Sequence, residues 1–290
     1  MVILLADAFA SDLPARLKPF GDVVTDLSRV SEAEVIIVRS KTKVDKAMID
    51  AAPKLKYIIR GGVGVDTIDV DYAKSKSIAV DNTPEASSLA VAELAFALMI
   101  ALPNHIAEAD SSMKQGKWLK KELERTELGG KTLGLIGIGR IARELALRAK
   151  AFGMRVIAYD KYVQTSDVAT MVGLDELLAA SDYVSLHTPL TDETRGMINS
   201  ATIAKMKKGA YLVNTCRGPV VKTEDVAAAL KEGRLGGYAT DVYDKEPPEG
   251  SPLLSAPRAL LTPHLGASTE ENLLRLGDCI VERMQKYAKK

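Results

Sequence analysis

The segment of residues 131–160, KTLGLIGIGRIARELALRAKAFGMRVIAYD, limits the possible folds of this chain more than any other feature. An apolar run leads into Gly137 and Gly139, and small and apolar side chains then recur at helical spacing. Ala142 stands where the third glycine of the pattern G-x-G-x-x-G is expected, at a position that needs a small residue for helix packing. The order of strand, turn, helix and strand predicts a parallel α/β sheet, with a pyrophosphate held by backbone N–H groups at the helix N-terminus.

An acidic residue ends the second strand of this segment. Asp160 follows Gly139 by about 20 residues, a spacing at which a carboxylate accepts hydrogen bonds from the adenosine ribose of a dinucleotide. The same carboxylate would repel the 2′-phosphate of NADP, and Lys161 is the only basic residue nearby. The sequence therefore predicts NAD as the cofactor, and the alternative is a glycine-rich turn without a ligand.

Short β-branched runs alternate with helical patterns along the whole chain, which predicts parallel sheets covered by helices. Candidate strands span residues 2–6, 35–38, 56–59, 78–81, 132–136, 155–159, 183–187, 211–214, 238–242 and 259–262. These are many strands for one open sheet, and turn signals at residues 81–88 and 266–269 mark two joins. The predicted fold class is α/β with two domains: a Rossmann-type doubly wound parallel sheet, residues 85–267, inserted into a smaller flavodoxin-like α/β domain, residues 1–84 plus 268–290.

Composition and charge exclude several classes of partner. A net charge of +1 and a pI near 7.7 give no broad electrostatic field for nucleic acid or anionic lipid. The longest apolar helical stretch, residues 89–102, is interrupted by Glu93, so no membrane span is expected. Cys216 and Cys279 belong to no metal or disulfide pattern, which predicts the absence of a metal site and a cytoplasmic location. The expected partner is a small molecule.

Three segments follow candidate strands and carry side chains suited to chemistry. They are VNTCRGPVV with Arg217, ATDVYDKEPP with Asp241 and Glu246, and LTPHLGAS with His264. In an open parallel sheet ligands bind beyond the carboxyl ends of the strands, so these side chains are expected at one edge. A dinucleotide-binding sensor would need none of them, whereas a dehydrogenase needs groups that act on a substrate. For His264 alone, a solvated loop residue is the alternative interpretation.

These motifs resemble, in the same order, those of the D-isomer-specific 2-hydroxyacid dehydrogenases, and most closely the phosphoglycerate dehydrogenases among them. The resemblance extends over essentially the whole chain and rests on VRSKTKV, RGGVGVDTID, NTP followed by VAELA, GKTLGLIGIGRIA, SLHTPLTDETRGMIN, NTCRGPVV, DVYDKEPP and PHLGAST. It implies that Arg217, Glu246 and His264 carry the reaction. The cofactor contacts predicted from the glycine turn and from the resemblance are Gly137, Gly139, Arg140, Ile141, Asp160, His187, Thr188, Pro189, Thr215, Cys216, Arg217, Asp241, His264, Gly266 and Ala267.

The residue types suit the transfer of a hydride to or from a 2-hydroxy acid. A proton must leave or reach the substrate oxygen, and histidine is the side chain that titrates closest to neutral pH. Glu246 would orient the His264 ring and favour its protonated form. The planar guanidinium of Arg217 can bind the substrate carboxylate through two hydrogen bonds.

Two further arginines predict a phosphorylated substrate. Arg39 and Arg60 follow candidate strands of the first domain, and GGVG at residues 61–64 can bind a carboxylate through backbone N–H groups. Two more cations would be surplus for an uncharged tail, and arginines at both positions resemble phosphoglycerate dehydrogenases more than glyoxylate and lactate enzymes. The predicted substrate contacts are Arg39, Arg60, Gly62, Val63, Gly64 and Arg217. The predicted reaction is oxidation of 3-phospho-D-glycerate to 3-phosphohydroxypyruvate, the entry step of serine biosynthesis, or the reverse reduction.

Two alternatives stay open. Within the family the alternative is a glyoxylate or hydroxypyruvate reductase, or another D-2-hydroxyacid dehydrogenase; outside it, an NAD-responsive interaction protein with little turnover. Residues 104–130 resemble the arm through which the family dimerises, so a homodimer is expected. The chain ends after its closing helix, so a C-terminal regulatory domain is not expected.

Overall fold

The computed structural model describes residues 1–289, which form two compact units. Unit 1 comprises Met1–Ser88 and the C-terminal segment that begins at Ala267, and unit 2 comprises Leu89–Gly266. The joins expected after residues 84 and 267 lie close to these boundaries. The middle of the chain is therefore an insertion whose two ends both connect to unit 1.

Unit 1, within the described residues, is built on a sheet of five parallel strands. They are β1 (Val2–Leu5), β2 (Asp22–Val24), β3 (Val35–Val38), β4 (Tyr57–Arg60) and β5 (Ala79–Asn82). Their order in the sheet is β2-β1-β3-β4-β5, which is the doubly wound order of flavodoxin-like folds. All residues of β3 are buried, because a central strand of a parallel sheet has covering layers on both faces.

Helices cover this sheet and close its core. They are α1 (Leu13–Leu17), α2 (Lys46–Asp50), α3 (Val70–Ser75) and the last helix of the chain, α10 (Glu270–Ala288). Ile280 and Met284 of α10 pack with Ile3 and Leu13 in one buried cluster. The three- and four-residue apolar spacing of α10 thus serves to return the chain end to the first sheet.

Unit 2 contains a sheet of seven parallel strands in the part of the chain that the structure describes. They are β6 (Thr132–Ile136), β7 (Arg155–Tyr159), β8 (Thr170–Met171), β9 (Tyr183–Leu186), β10 (Ala210–Asn214), β11 (Leu235–Thr240) and β12 (Ala259–Leu261). Their order is β12-β11-β10-β9-β6-β7-β8. The order reverses between β6 and β9, which is the switch point where a Rossmann-type sheet binds its dinucleotide. The predicted fold class is confirmed for both sheets.

The helices of unit 2, in the described residues, are α4 (Ser88–Ala101), α5 (Ile106–Lys114), α6 (Arg140–Ala151), α7 (Leu174–Ala180), α8 (Ser200–Lys205) and α9 (Thr223–Lys231). One buried cluster joins α4 and α6 to the sheet, and a second joins α7, α8 and α9 to it. Within residues 1–289 no single helix is long and apolar enough to cross a membrane, although α4 and α5, bent by 64° at their junction, would suffice as a pair by length and composition.

Candidate active site

The carboxyl edge of the sheet in unit 2 gathers most of the predicted site residues. All strand pairings in this sheet are parallel, so the strand ends meet at one edge. Residues that follow these strand ends include Gly137 after β6, Asp160 after β7, His187 after β9, Thr215 and Arg217 after β10, Asp241 after β11 and His264 after β12. The sequence expectation that these groups share one edge is therefore met by the topology.

The two glycines of the turn after β6 are required for different reasons. Gly137 has φ +91°, and a Cβ on it would lie 2.6 Å from the carbonyl oxygen of His187, so the fold itself demands glycine. Gly139 is the N-cap of α6 with φ −69°, which any residue can adopt, and a Cβ on it would meet nothing within 4 Å. The space beside Gly139 and the first amides of α6 therefore suit a pyrophosphate better than a protein contact.

Asp160 is held rigidly at the end of β7. Its Oδ2 accepts a hydrogen bond from Ile138 N at 3.0 Å, and its Oδ1 accepts from Tyr162 N at 2.9 Å and Val163 N at 3.1 Å. These backbone donors fix the carboxylate next to the glycine turn, where a ribose of the dinucleotide would lie.

The neighbouring cation is engaged elsewhere. Lys161 Nζ contacts the carboxylate of Glu193 at 2.5 and 2.7 Å, and this partner raises the pKa of Lys161. Both features suit a ribose with a free 2′-hydroxyl, because a 2′-phosphate would meet Asp160 and find Lys161 already paired.

Two buried hydroxyls at this edge suit a ligand. Thr188 Oγ1 and Thr215 Oγ1 are buried and have no hydrogen-bond partner among the described residues. Buried hydroxyls are rarely left unsatisfied, so a polar group of a bound molecule is the natural partner. Together with the open space at Gly139, they show that the residues present fit a dinucleotide.

His187 and Cys216 have environments that favour their uncharged forms. Burial lowers the pKa of His187 to about 4, and its Nε2 lies 2.9 Å from Ser185 Oγ. Burial raises the pKa of the Cys216 thiol, whose Sγ donates to Asn214 Oδ1 at 3.1 Å. A neutral imidazole and a neutral thiol suit walls of a cofactor site rather than an acid or a nucleophile.

His264 and Glu246 form a direct pair. His264 Nδ1 lies 2.7 Å from Glu246 Oε2, and Glu246 Oε1 accepts a hydrogen bond from Tyr243 N at 3.2 Å. An ionised carboxylate only accepts, so Nδ1 carries the proton of this bond and Nε2 is the nitrogen left for a substrate. Both side chains are exposed, so the pair is open to a ligand.

Arg217 lies on a turn that is braced from two sides. Asn214, which is fully buried, donates from Nδ2 to Arg217 O at 2.9 Å and accepts from Cys216 N at 3.0 Å. A Cβ on Gly218 would collide with the backbone of Tyr243, so the turn packs directly on the loop that carries Glu246. The sequence pattern did not reveal the role of Asn214. The signal that could have found it is an amide side chain at the end of the apolar strand β10, where a buried polar group needs hydrogen-bond partners.

The predicted substrate residues of unit 1 lie at or just after the ends of β3 and β4. Arg60 ends β4, and its guanidinium lies over Gly62, where a Cβ would collide with Nη1. The amide of Gly62 donates to Thr83 Oγ1 at 2.8 Å, so a backbone anion site in this loop rests on residues 63–64. Arg39 follows β3 and donates from Nη1 to Ala8 O at 3.1 Å, and burial lowers its pKa. A partly buried guanidinium of this kind would be stabilised by an anion.

The doubly wound sheet, the open turn at Gly139 and the paired imidazole at the same edge are typical of dehydrogenases that bind a nicotinamide dinucleotide. The comparison with known families is specific: the model described as D-isomer specific 2-hydroxyacid dehydrogenase, NAD binding domain, matches residues 96–266. The chain belongs to the D-isomer-specific 2-hydroxyacid dehydrogenase family.

Curated relatives and solved structures agree with this family and differ in substrate. The D-3-phosphoglycerate dehydrogenase of Methanocaldococcus jannaschii is 43% identical over 98% of this chain and 57% of its own length. The hydroxypyruvate reductase of Thermotoga maritima is 48% identical over 89% of this chain and 85% of its own. The D-lactate dehydrogenase of Aquifex aeolicus, solved with NAD and lactic acid, superposes with a TM-score of 0.88 at 31% identity, covering 100% of this chain and 96% of its own. The chain spans little more than half the length of the phosphoglycerate dehydrogenase.

Proposed function

We propose that this protein catalyses the NAD-dependent oxidation of 3-phospho-D-glycerate to 3-phosphohydroxypyruvate, or the reverse reduction. The observation that carries the dehydrogenase chemistry is the 2.7 Å contact between His264 Nδ1 and Glu246, at the same sheet edge as the glycine turn. Backbone N–H groups at the glycine turn and the first turn of α6 would hold NAD at this edge, where the bound cofactor would supply hydride-transfer chemistry. In the reducing direction the substrate oxygen takes a proton from His264 Nε2, and in the oxidising direction the hydroxyl returns it.

The other two groups of the proposed site orient the reactants. Glu246 holds the tautomer of His264 in which Nε2 faces the substrate and stabilises the positive charge that the ring carries before it donates. Arg217 binds the substrate carboxylate and polarises the reacting oxygen through its planar guanidinium. Cofactor contacts are proposed at Arg140, Ile141, Pro189 and Ala267. The other cofactor positions predicted from the sequence are proposed as contacts as well.

The phosphorylated substrate is proposed from the arginines of unit 1. Arg39 directly follows β3 and Arg60 is the last residue of β4, and these neighbouring strands are parallel, so both arginines lie at the same edge of the sheet. Burial of Arg39 and the position of the Arg60 guanidinium over Gly62 favour an anionic ligand there. Hydroxypyruvate reduction is the second candidate, because the relative from Thermotoga maritima carries that name and matches 89% of the chain.

A kinetic comparison tests the substrate. The purified protein is assayed by NADH absorbance against 3-phosphohydroxypyruvate, hydroxypyruvate and glyoxylate, and the highest kcat/KM is expected for the phosphorylated acid. Arg39→Ala and Arg60→Ala should each raise its KM by about 10-fold, the effect of losing a charged hydrogen bond, and leave glyoxylate nearly unaffected. Arg29→Ala is the matched control, since Arg29 forms a surface pair with Glu32. A higher kcat/KM for hydroxypyruvate in the wild type would favour the second candidate.

We also propose a homodimer formed through the arm, residues 104–130. Three of its large apolar side chains are exposed: Ile106 and Met113 by 54% each, and Trp118 by 73%. Exposed apolar side chains concentrated on one segment are typical of an interface with another chain. A second copy of this chain is the proposed partner.

A further inference from the structure

We propose that Asp241 is a positioning residue of the reaction. Its buried carboxylate fixes the loop of residues 262–266 and thereby holds the imidazole of His264 in place. The inference rests on the proposed function, in which His264 transfers the proton, and it adds a residue that acts through this histidine.

The Asp241 carboxylate binds the loop on both sides of His264. Asp241 is 1% exposed and directly follows β11. Its Oδ1 accepts hydrogen bonds from Thr262 Oγ1 at 2.6 Å and from Leu265 N at 2.7 Å. Its Oδ2 accepts from Gly266 N at 2.8 Å. Charge-assisted hydrogen bonds of this length are strong in a buried site, so the loop has little freedom to shift.

The backbone of His264 needs such support. Its φ is 54°, in the left-handed region that residues other than glycine adopt rarely and only where neighbouring contacts fix it. On the near side, His264 N donates to Thr262 O at 3.1 Å and Tyr243 Oη donates to the same oxygen at 2.8 Å. Asp241 supplies the hydrogen bonds on the far side, at residues 265–266.

Gly266 and Asp241 both contribute to the close approach between the carboxylate and the loop. A Cβ on Gly266 would lie 3.2 Å from Asp241 Oδ2 and 3.3 Å from Val91 Cγ2, which is tighter than ordinary contact. The amide of Asp241 donates to Asn214 O at 3.0 Å, so the carboxylate is itself anchored to the end of β10. Asp241 therefore connects the end of the sheet to the loop of residues 262–266, and this connection fixes the position of His264.

A double-mutant cycle between Asp241→Asn and His264→Ala tests the proposal. Asparagine keeps the volume, but its NH₂ group must face at least one of the donors, so the loop loses a hydrogen bond. In the reduction of the preferred 2-oxo acid, Asp241→Asn should lower kcat about 10²-fold, as expected for a catalytic group displaced by about 1 Å, and this factor should exceed the change in the Kd of NADH. In the His264→Ala background the same substitution should have almost no further effect, because the group it positions is gone.

The cycle separates this role from the proposed function. Full kcat in the His264→Ala single variant would overturn the proposed function itself. An impaired His264→Ala variant with a fully additive Asp241→Asn effect would overturn only the role of Asp241. A loss confined to NADH affinity would likewise overturn it, in favour of a direct cofactor contact.

A second pair of variants leaves the carboxylate in place and covers the case in which Asp241→Asn does not fold. Thr262→Val removes the Oγ1 donor and keeps the branched shape, whereas Thr262→Ser keeps the hydroxyl. Thr262→Val should lower kcat by about 10-fold, and Thr262→Ser should recover most of that loss. Equal kcat values for the valine and serine variants would contradict the proposal.

Discussion

At the scale of single residues, the contact between Glu246 and His264 makes a prediction about rate. Glu246→Gln keeps a hydrogen-bond acceptor beside His264 Nδ1 but removes the negative charge that stabilises the protonated ring in the proposed mechanism. The kcat for reduction should therefore fall by about 10-fold. Glu249→Gln is the matched control, because Glu249 is an exposed residue of the same loop that pairs only loosely with Lys245. An unchanged kcat in Glu246→Gln would remove this carboxylate from the mechanism.

His187 predicts how the stability of the protein depends on pH. Burial lowers its pKa to about 4, whereas an unfolded histidine titrates near pH ~6.5. Between these values the unfolded state binds more protons than the folded state, so the free energy of unfolding should fall as the pH is lowered, by on the order of 2–3 kcal/mol from this group.

Urea denaturation of the protein without cofactor, at neutral pH and near pH ~4.5, measures this effect. His187→Gln should show a smaller loss of stability over the same interval, because glutamine has no proton to bind. Equal losses in the two proteins would mean that His187 is not held uncharged by the fold.

At the scale of elements, the turn between β6 and α6 contains one glycine that the fold requires, Gly137, and one that the proposed cofactor requires, Gly139. Gly137→Ala forces a side chain into a φ of +91° against the carbonyl of His187, so it should cost about 1–3 kcal/mol of stability. Gly139→Ala meets no atom of the protein and should leave Tm almost unchanged, while weakening NADH at least about 10-fold by filling the cofactor space. Thermal melts and fluorescence titration distinguish the two; unaltered NADH affinity in Gly139→Ala would place the pyrophosphate elsewhere.

The end of β7 predicts the choice of nucleotide. Asp160→Ala should weaken NAD more than NADP, since it removes a ribose acceptor and also the repulsion of a 2′-phosphate. The ratio of kcat/KM values for the two nucleotides measures this shift, with Asp175→Ala, a surface residue of α7 paired with Lys205, as the control. An equal or better kcat/KM with NADP in the wild type would refute the preference for NAD.

At the scale of the whole molecule, the exposed arm predicts the state of association. Light scattering should give about twice the chain mass of 31.2 kDa for the wild type. Trp118→Ala should shift the protein toward the monomer, because it removes the largest exposed apolar side chain of the arm. Leu254→Ala, at a site 57% exposed and outside the arm, should leave the mass unchanged. A monomeric wild type would overturn the homodimer.

Much of the architecture could be predicted from local patterns in the chain. Every candidate strand has its counterpart in the structure, and the glycine turn with Asp160 about 20 residues after Gly139 indicated the nucleotide-binding unit in advance. The strand of residues 35–38 can be recognised from its uninterrupted apolar run, because a strand buried on both faces of a parallel sheet leaves no room for polar residues. Two strands, β2 and β8, escaped prediction. Both are short edge strands, DVV and TM, and neither has the uninterrupted apolar run ALL that made the equally short edge strand β12 recognisable.

The arrangement of the site depended on tertiary structure. Local patterns marked His264, Glu246 and Asp241 as candidates, but not that Glu246 meets Nδ1 of the ring, nor that Asp241 binds the loop around His264 through three hydrogen bonds. Periodicity and turn signals report only how a residue relates to its near neighbours in the chain. Which loops come together at a sheet edge is set by strand order, and strand order is set by the packing of side chains far apart in sequence.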